Sequence, residues 1–163
     1  MNTNELIAAA IEGDPKTLGF HLGDFSDQDM LTRPAPGANH PAWQIGHLIV
    51  AETNAVNSVK PGAMPELPAG FADRFKKDNA KNDNPAEFPK KGELIALFEK
   101  ARRGTVAWVR GMSQQEFSAP TPEKIRAWAP TAGILPVALS GHLMMHVGQI
   151  QVLRRKLGKP VLF

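Results

Sequence analysis

Apolar residues recur along this chain at helical spacing in four long stretches, and no alternating strand pattern competes with them. In residues 4–23, Ile7, Ile11, Leu18 and Leu22 form one stripe, with Leu6, Ala10 and Phe20 beside it. Gly13-Asp14-Pro15 interrupts this stretch. Asp14 can cap a new start with Pro15 at its first position, which predicts a break or kink. A second helix is predicted over residues 41–60, where Trp43, His47, Val50 and Asn54 share a face; Pro61-Gly62 stops it. The third, over residues 92–111, has an apolar stripe of Leu94, Leu97, Phe98, Ala101, Thr105 and Trp108. Glu93, Glu99, Lys100, Arg102, Arg103 and Arg110 lie mostly off that stripe, as on a solvated face. The fourth begins between residues 131 and 136 and ends at Gly158-Lys159-Pro160, with Arg154, Arg155 and Lys156 in its last turn. It is apolar nearly all round, so it has to be covered on every side.

Residues 61–92 are punctuated by Pro61, Pro65, Pro68, Pro85 and Pro89 among Lys, Asn and Asp. So long a connection is functional or disordered more often than a plain link, and it is expected to cross the bundle end as a lid. A short turn is predicted around residues 71–77. Ser113-Gln114-Gln115-Glu116 resembles a capping box, and a proline-bounded turn follows at residues 123–128. The fold class is all-α: a single domain over residues 1–163, a four-helix bundle with a long crossover connection between helices 2 and 3.

Composition narrows the chemistry. The chain of 163 residues has no cysteine, which removes disulfides, thiolate metal sites and cysteine nucleophiles. Its net charge of +3 is small for a nucleic-acid binder. The Lys76-Lys77, Lys90-Lys91, Arg102-Arg103 and Arg154-Arg155-Lys156 clusters are dispersed and lack interleaved aromatics, so no nucleic-acid partner is expected. The most apolar stretch, residues 133–153, is interrupted by Pro136, Ser140, two histidines and two glutamines, which argues for a buried helix and against a membrane span. The N-terminal residues lack a basic region, so no export signal is read and the cytoplasm is the expected compartment.

Two of the five histidines, His142 and His146, stand four residues apart on the fourth helix. That spacing puts both rings on one face, one turn apart, where neutral imidazoles can share an ion. The alternative is two core histidines satisfied separately by hydrogen bonds, in surroundings that offer few partners. His47, preceded by Gly46, completes a three-imidazole set if the second and fourth helices are neighbours. Three nitrogen donors leave a coordination position open, the arrangement of a catalytic rather than a structural ion. Imidazoles suit zinc, nickel, copper or iron without choosing among them. Trp43, one turn from His47, is expected to pack beside the site. Asn54 either lines the pocket or packs between helices, the second being preferred. Glu52 lies about 140° round the helix from His47 and is a poor ligand. His21 and His40 have no matched partner and are expected on the solvated surface. No general base stands on the histidine stripes; Glu66, Asp73 and Glu87 in the long connection are the acids available. Gly141 and Gly148 allow close helix packing, within the bundle or between two chains.

Trp43-Gln44-Ile45-Gly46-His47-Leu48, followed by Gly141-His142-Leu143-Met144-Met145-His146-Val147-Gly148-Gln149-Ile150, resembles the DinB/YfiT-type superfamily. Its two marks are W-x-x-x-H on the second helix and H-x-x-x-H-x-G-Q on the last. The resemblance implies a four-helix bundle with an up-down-down-up course, often dimeric, whose histidines hold a divalent metal: zinc, nickel or iron. The ligands would be His47, His142 and His146. Gln149, common in the family, would orient a ligand or pack between helices. The resemblance further implies a metal-dependent enzyme acting on a small-molecule substrate. A low-molecular-weight thiol would be its co-substrate in a transferase, or a metal-bound water or thiolate the attacking group in a transferase or hydrolase. The alternative is a non-catalytic metal- or small-ligand-binding stress-response protein.

Overall fold

The computed structural model describes residues 2–162. The first apolar stretch divides at Gly13 into α1 (Thr3–Glu12) and α2 (Asp14–Leu22). Asn2 caps α1 by accepting a hydrogen bond from the Glu5 N–H. Pro15 occupies the first turn of α2, where its missing N–H costs nothing. Asp14 does not cap α2, as the sequence suggested; it is the first residue of the helix, and its carboxylate is buried. Then come α3 (Pro41–Val59), the short α4 (Phe71–Arg74), α5 (Lys91–Gly111), the short α6 (Gln114–Ser118) and α7 (Glu123–Arg126), and α8 (Leu135–Lys156). Ser113 and Glu116 form the predicted capping box. The described residues contain no strand, only an isolated bridge between Pro120 and Thr131.

The direction of each helix follows from its cross-contacts. Asn4 bonds the Met112 carbonyl, Arg102 pairs with Asp14, and Lys91 reaches the Leu22 carbonyl, so α1–α2 run antiparallel to α5. Glu52 meets Arg102 and Lys60 meets Glu116, so α3 runs parallel to α5. Ser140 bonds Asp14 and Arg154 bonds the His21 carbonyl, so α8 runs parallel to α1–α2. The course is up, down, down, up, and the parallel α3–α5 pair is what requires the long crossover. Ile45, Ile49, Leu94, Phe98, Leu135, Leu139, Leu143 and Ile150 fill the main core; Ala8, Ile11, Val106 and Val109 form a smaller cluster between α1 and α5.

Residues 61–90 are ordered against the bundle, not draped across its end. The Phe75 ring lies on Gly46, where a Cβ would come within 2.1 Å of it. Phe75 also packs on Phe88, and Phe88 meets the His40 ring edge-on. Arg33 ties the segment down through Asp83 and the Ala80 carbonyl. The connection therefore backs α3 from behind. It forms no lid over the histidines, because its aromatic residues face Gly46 and the segment contributes nothing to the cavity beside His142.

Several polar side chains expected at the surface are interior. His40 and His21 are buried, at 0% and 2% exposed. His40 caps α3: its Nδ1 accepts from the Trp43 N–H and its Nε2 donates to the Asn82 carbonyl, so both ring nitrogens are used. The Gln151 amide donates to His21. Arg154 is 1% exposed, with Asp24 and the carbonyls of His21 and Pro160 around it.

The most consequential of these is Arg102 on α5, 1% exposed. One nitrogen lies 2.8 Å from Asp14 of α2 and another 3.0 Å from Glu52 of α3. The Thr105 hydroxyl donates to the other oxygen of Glu52, and Ser140 of α8 donates to the other oxygen of Asp14. Burial raises both carboxyls above their usual range, and the nearby guanidinium offsets only part of that rise. Arg102→Met should lower stability by about 3–5 kcal/mol in urea unfolding, because it strands two buried carboxylates. Adding Asp14→Asn and Glu52→Gln should restore a large part of that loss.

Candidate metal centre

On α3, Gln44 and His47 stand one turn apart, and on α8 so do His142 and His146. The antiparallel α3–α8 pairing brings the two helix faces together. The ring centroids of His47 lie 5.2 Å from His142 and 5.7 Å from His146; His142 and His146 are 4.9 Å apart. One nitrogen from each ring falls within 4.8 Å of the others. Among the described residues this is the group of histidine or acidic side chains arranged to hold an ion.

The hydrogen atoms can be accounted for. The Gln44 amide nitrogen donates to the Asn39 carbonyl, which leaves Gln44 Oε1 facing His146 Nδ1 at 3.0 Å. That ring nitrogen must therefore carry the proton, and Nε2 of His146 is left with a lone pair aimed at the centre. His142 Nε2 lies 3.2 Å from it. Two lone pairs cannot face each other at that distance without a proton or a cation between them. Nitrogens bound at about 2.0–2.1 Å to one tetrahedral ion stand about 3.3 Å apart, so the pair fits a shared ion.

Burial holds all three imidazoles below their ordinary pKa; His142 adds to the effect at His47, and His142 and His47 add to it at His146, which is pushed to about 4. The rings are neutral near pH 7, the state that ligates. Trp43 packs beside the site: its indole stacks on the His47 ring at 5.0 Å and 5° between planes, which fixes the orientation of that ring. A cavity of about 590 Å³ opens on His142, lined by Ala51, Trp128, Ala138, Gly141 and Met145.

The sequence model of the DinB superfamily matches residues 10–150. The chain belongs to the DinB superfamily. No curated protein and no solved structure matches it. DinB proteins are a metal-binding superfamily, and in this DinB chain three histidines stand where one ion can meet them all.

Of the other residues singled out in the sequence, Gln149 and Asn54 are exposed and outside the cluster. Gln149 is seven residues, about two turns, beyond His142 on α8 and is exposed, so the role of orienting a ligand falls to Gln44. Its signal was available: Gln44 precedes His47 by three residues and so shares its face. Asp73 pairs with Lys76, Glu87 bonds Asn82 and Asn84, and Glu66 is exposed; none lines the cavity. Glu52 is held by Arg102, away from the rings. Trp128 carried no recognisable signal, since a loop brings it to the site.

Gln44→Leu should leave the fold intact and weaken metal binding by about 10–100-fold, measured by competition with a chromophoric chelator. Unchanged affinity would mean that Gln44 does not set the tautomer of His146.

Proposed function

We propose that His47, His142 and His146 hold one divalent ion and that the protein is a metal-dependent enzyme, a thiol-dependent transferase or a hydrolase. The observation that carries this reading is the cavity that opens on His142 beside three converging imidazoles. With three protein donors the ion keeps a free position, and a structural ion ordinarily has four. Zinc, nickel and iron all suit the donor set. When bound, the ion supplies Lewis acidity that makes a nucleophile of a water or thiol at neutral pH, or polarises a carbonyl.

The protein's own residues do the positioning. Gln44 holds the His146 tautomer, Trp43 holds the His47 plane, and the small side chains of Ala51, Ala138 and Gly141 leave room for a substrate. The chain has no cysteine, so a thiol has to come from a low-molecular-weight co-substrate. One observation favours the second reading, a non-catalytic module that binds a metal or small ligand: apart from His142, no side chain lining the cavity is an acid or a base.

The proposal extends to a homodimer. Val137, Met144 and Val152 are 49%, 41% and 51% exposed and fall on one stripe of α8 with Gly141 and Gly148. Light scattering at micromolar concentration should give twice the chain mass.

His142→Ala and His146→Ala should each abolish stoichiometric metal by elemental analysis; full metal content in either variant rejects the site. The enzyme is distinguished from the binder by turnover in a panel of thiols and electrophiles. For the transferase, addition of a small thiol should also change the visible spectrum of the cobalt-substituted protein.

A further inference from the structure

The wall of the cavity beside His142 has a chemistry of its own. Its residues on α8 are Ala138, Gly141, His142 and Met145, spaced as one helical face. Ala51 of α3, one turn on from His47, closes the opposite side. Trp128 comes from the connection between α7 and α8 and is 44% exposed; Met145 is 63% exposed.

The connection that carries Trp128 is braced. Thr121 donates through its hydroxyl to the Ala129 carbonyl and through its N–H to the Pro130 carbonyl. Arg126 clamps the Thr121 carbonyl with two nitrogens. Ala132 and Gly133 bond back to the carbonyls of Ala119 and Phe117. The Phe117 ring lies on Gly133, where a Cβ would come within 2.5 Å of it. This bracing, with Ala129 buried in the main core next to it, holds an indole at the mouth of the cavity.

No charged side chain lines the cavity, although the chain carries 19 basic and 16 acidic residues. A charged group lying between Trp128 and Met145 would lose hydration with no counter-charge in the lining to replace it. A flat apolar group would gain the indole face and the Met145 thioether, which favours aromatic contacts. The volume of about 590 Å³ falls in the range of small-molecule sites and is far too small for a folded partner.

The geometry points to a substrate class: an uncharged small organic molecule bearing an aromatic or similarly flat apolar group next to its reacting atom. The apolar group would lie between Trp128 and Met145, and the reacting atom would be directed towards the three histidines. The inference rests on the metal-centre reading for the direction of the reacting atom; the recognition of the apolar group rests on the cavity alone.

Two measurements separate these parts. In the cobalt-loaded protein, imidazole, 4-phenylimidazole and 4-(imidazol-4-yl)benzoate, whose carboxylate stands too far from the ring nitrogen to chelate the ion, are titrated by visible spectroscopy. The phenyl compound should bind about tenfold or more tightly than imidazole, and the benzoate more weakly than the phenyl compound. Trp128→Ala should erase most of the phenyl advantage while leaving imidazole affinity and cobalt content unchanged. Equal affinity for the three azoles, with cobalt bound, overturns the substrate class and leaves the metal centre standing. In the metal-free protein, 1-naphthol should quench the fluorescence that Trp128→Phe removes, whereas 1-naphthoate should not, and Ala138→Phe should block the quenching. Failure to take up cobalt overturns the metal centre, and the naphthol result then decides the cavity by itself. Quenching by naphthol and naphthoate alike, or by neither, overturns the apolar wall. So does a Trp128 signal that responds to protein dilution and not to probe, which would assign the face to a second copy of the chain.

Discussion

The register of the bundle depends on one buried cation. Arg102 cannot be left unpaired in the interior, and the two carboxylates that meet it come from different helices. Asp14 belongs to α2 and is bonded to Ser140 of α8; Glu52 belongs to α3 and is bonded to Thr105 of α5. Sliding any of these helices by a turn would leave a charge in the core without its counterion. Ser140 stands two residues before His142, and Glu52 stands five after His47. The same contacts that hold the helices level therefore set the height at which the imidazoles meet. Hydrophobic packing alone is less exacting, because apolar stripes tolerate shifts that a guanidinium between two carboxylates does not.

The second constraint acts across the helix pair that bears the histidines. Gln44 is anchored at one end by the Asn39 carbonyl, just before α3, and at the other accepts from His146 on α8. Its amide orientation dictates which nitrogen of His146 is free. Trp43, its chain neighbour, sets the plane of His47. Behind them the crossover segment presses Phe75 onto Gly46, so the N-terminal half of α3 is held from both sides. The long connection thus serves the site as a support and leaves access to the short loop that bears Trp128. One face of α8 is shared between the core and the cavity, and the adjoining stripe of Val137, Met144 and Val152 remains outside both.

Much of this was legible in the chain. The helical stretches, the break at Gly13, the stop at Gly158 and the capping box at Ser113 all follow from local chemistry that acts within a few residues. His142 and His146 share a face because helical geometry requires it, and the W-x-x-x-H stretch placed His47 and Trp43 on a common face for the same reason. The family resemblance, and with it the up-down-down-up course, came from those same residues. Misreadings fell where a side chain's surroundings are supplied by a distant segment. His40 and His21 read as surface residues because their partners, Asn82 and Gln151, are far along the chain. Arg102 read as solvated because nothing within its own helix reveals two carboxylates on other helices.

By itself, then, the sequence determined the helices, their apolar faces and the pairs of functional residues that each helix carries, since these depend on spacing along one chain segment. Only the tertiary structure decided which of those faces meet, that Gln44 and not Gln149 steadies His146, and that a braced loop brings Trp128 to the mouth of the cavity. Spacing is a local property of the backbone, whereas burial, tautomer and cavity lining depend on which remote groups fill the space beside a residue.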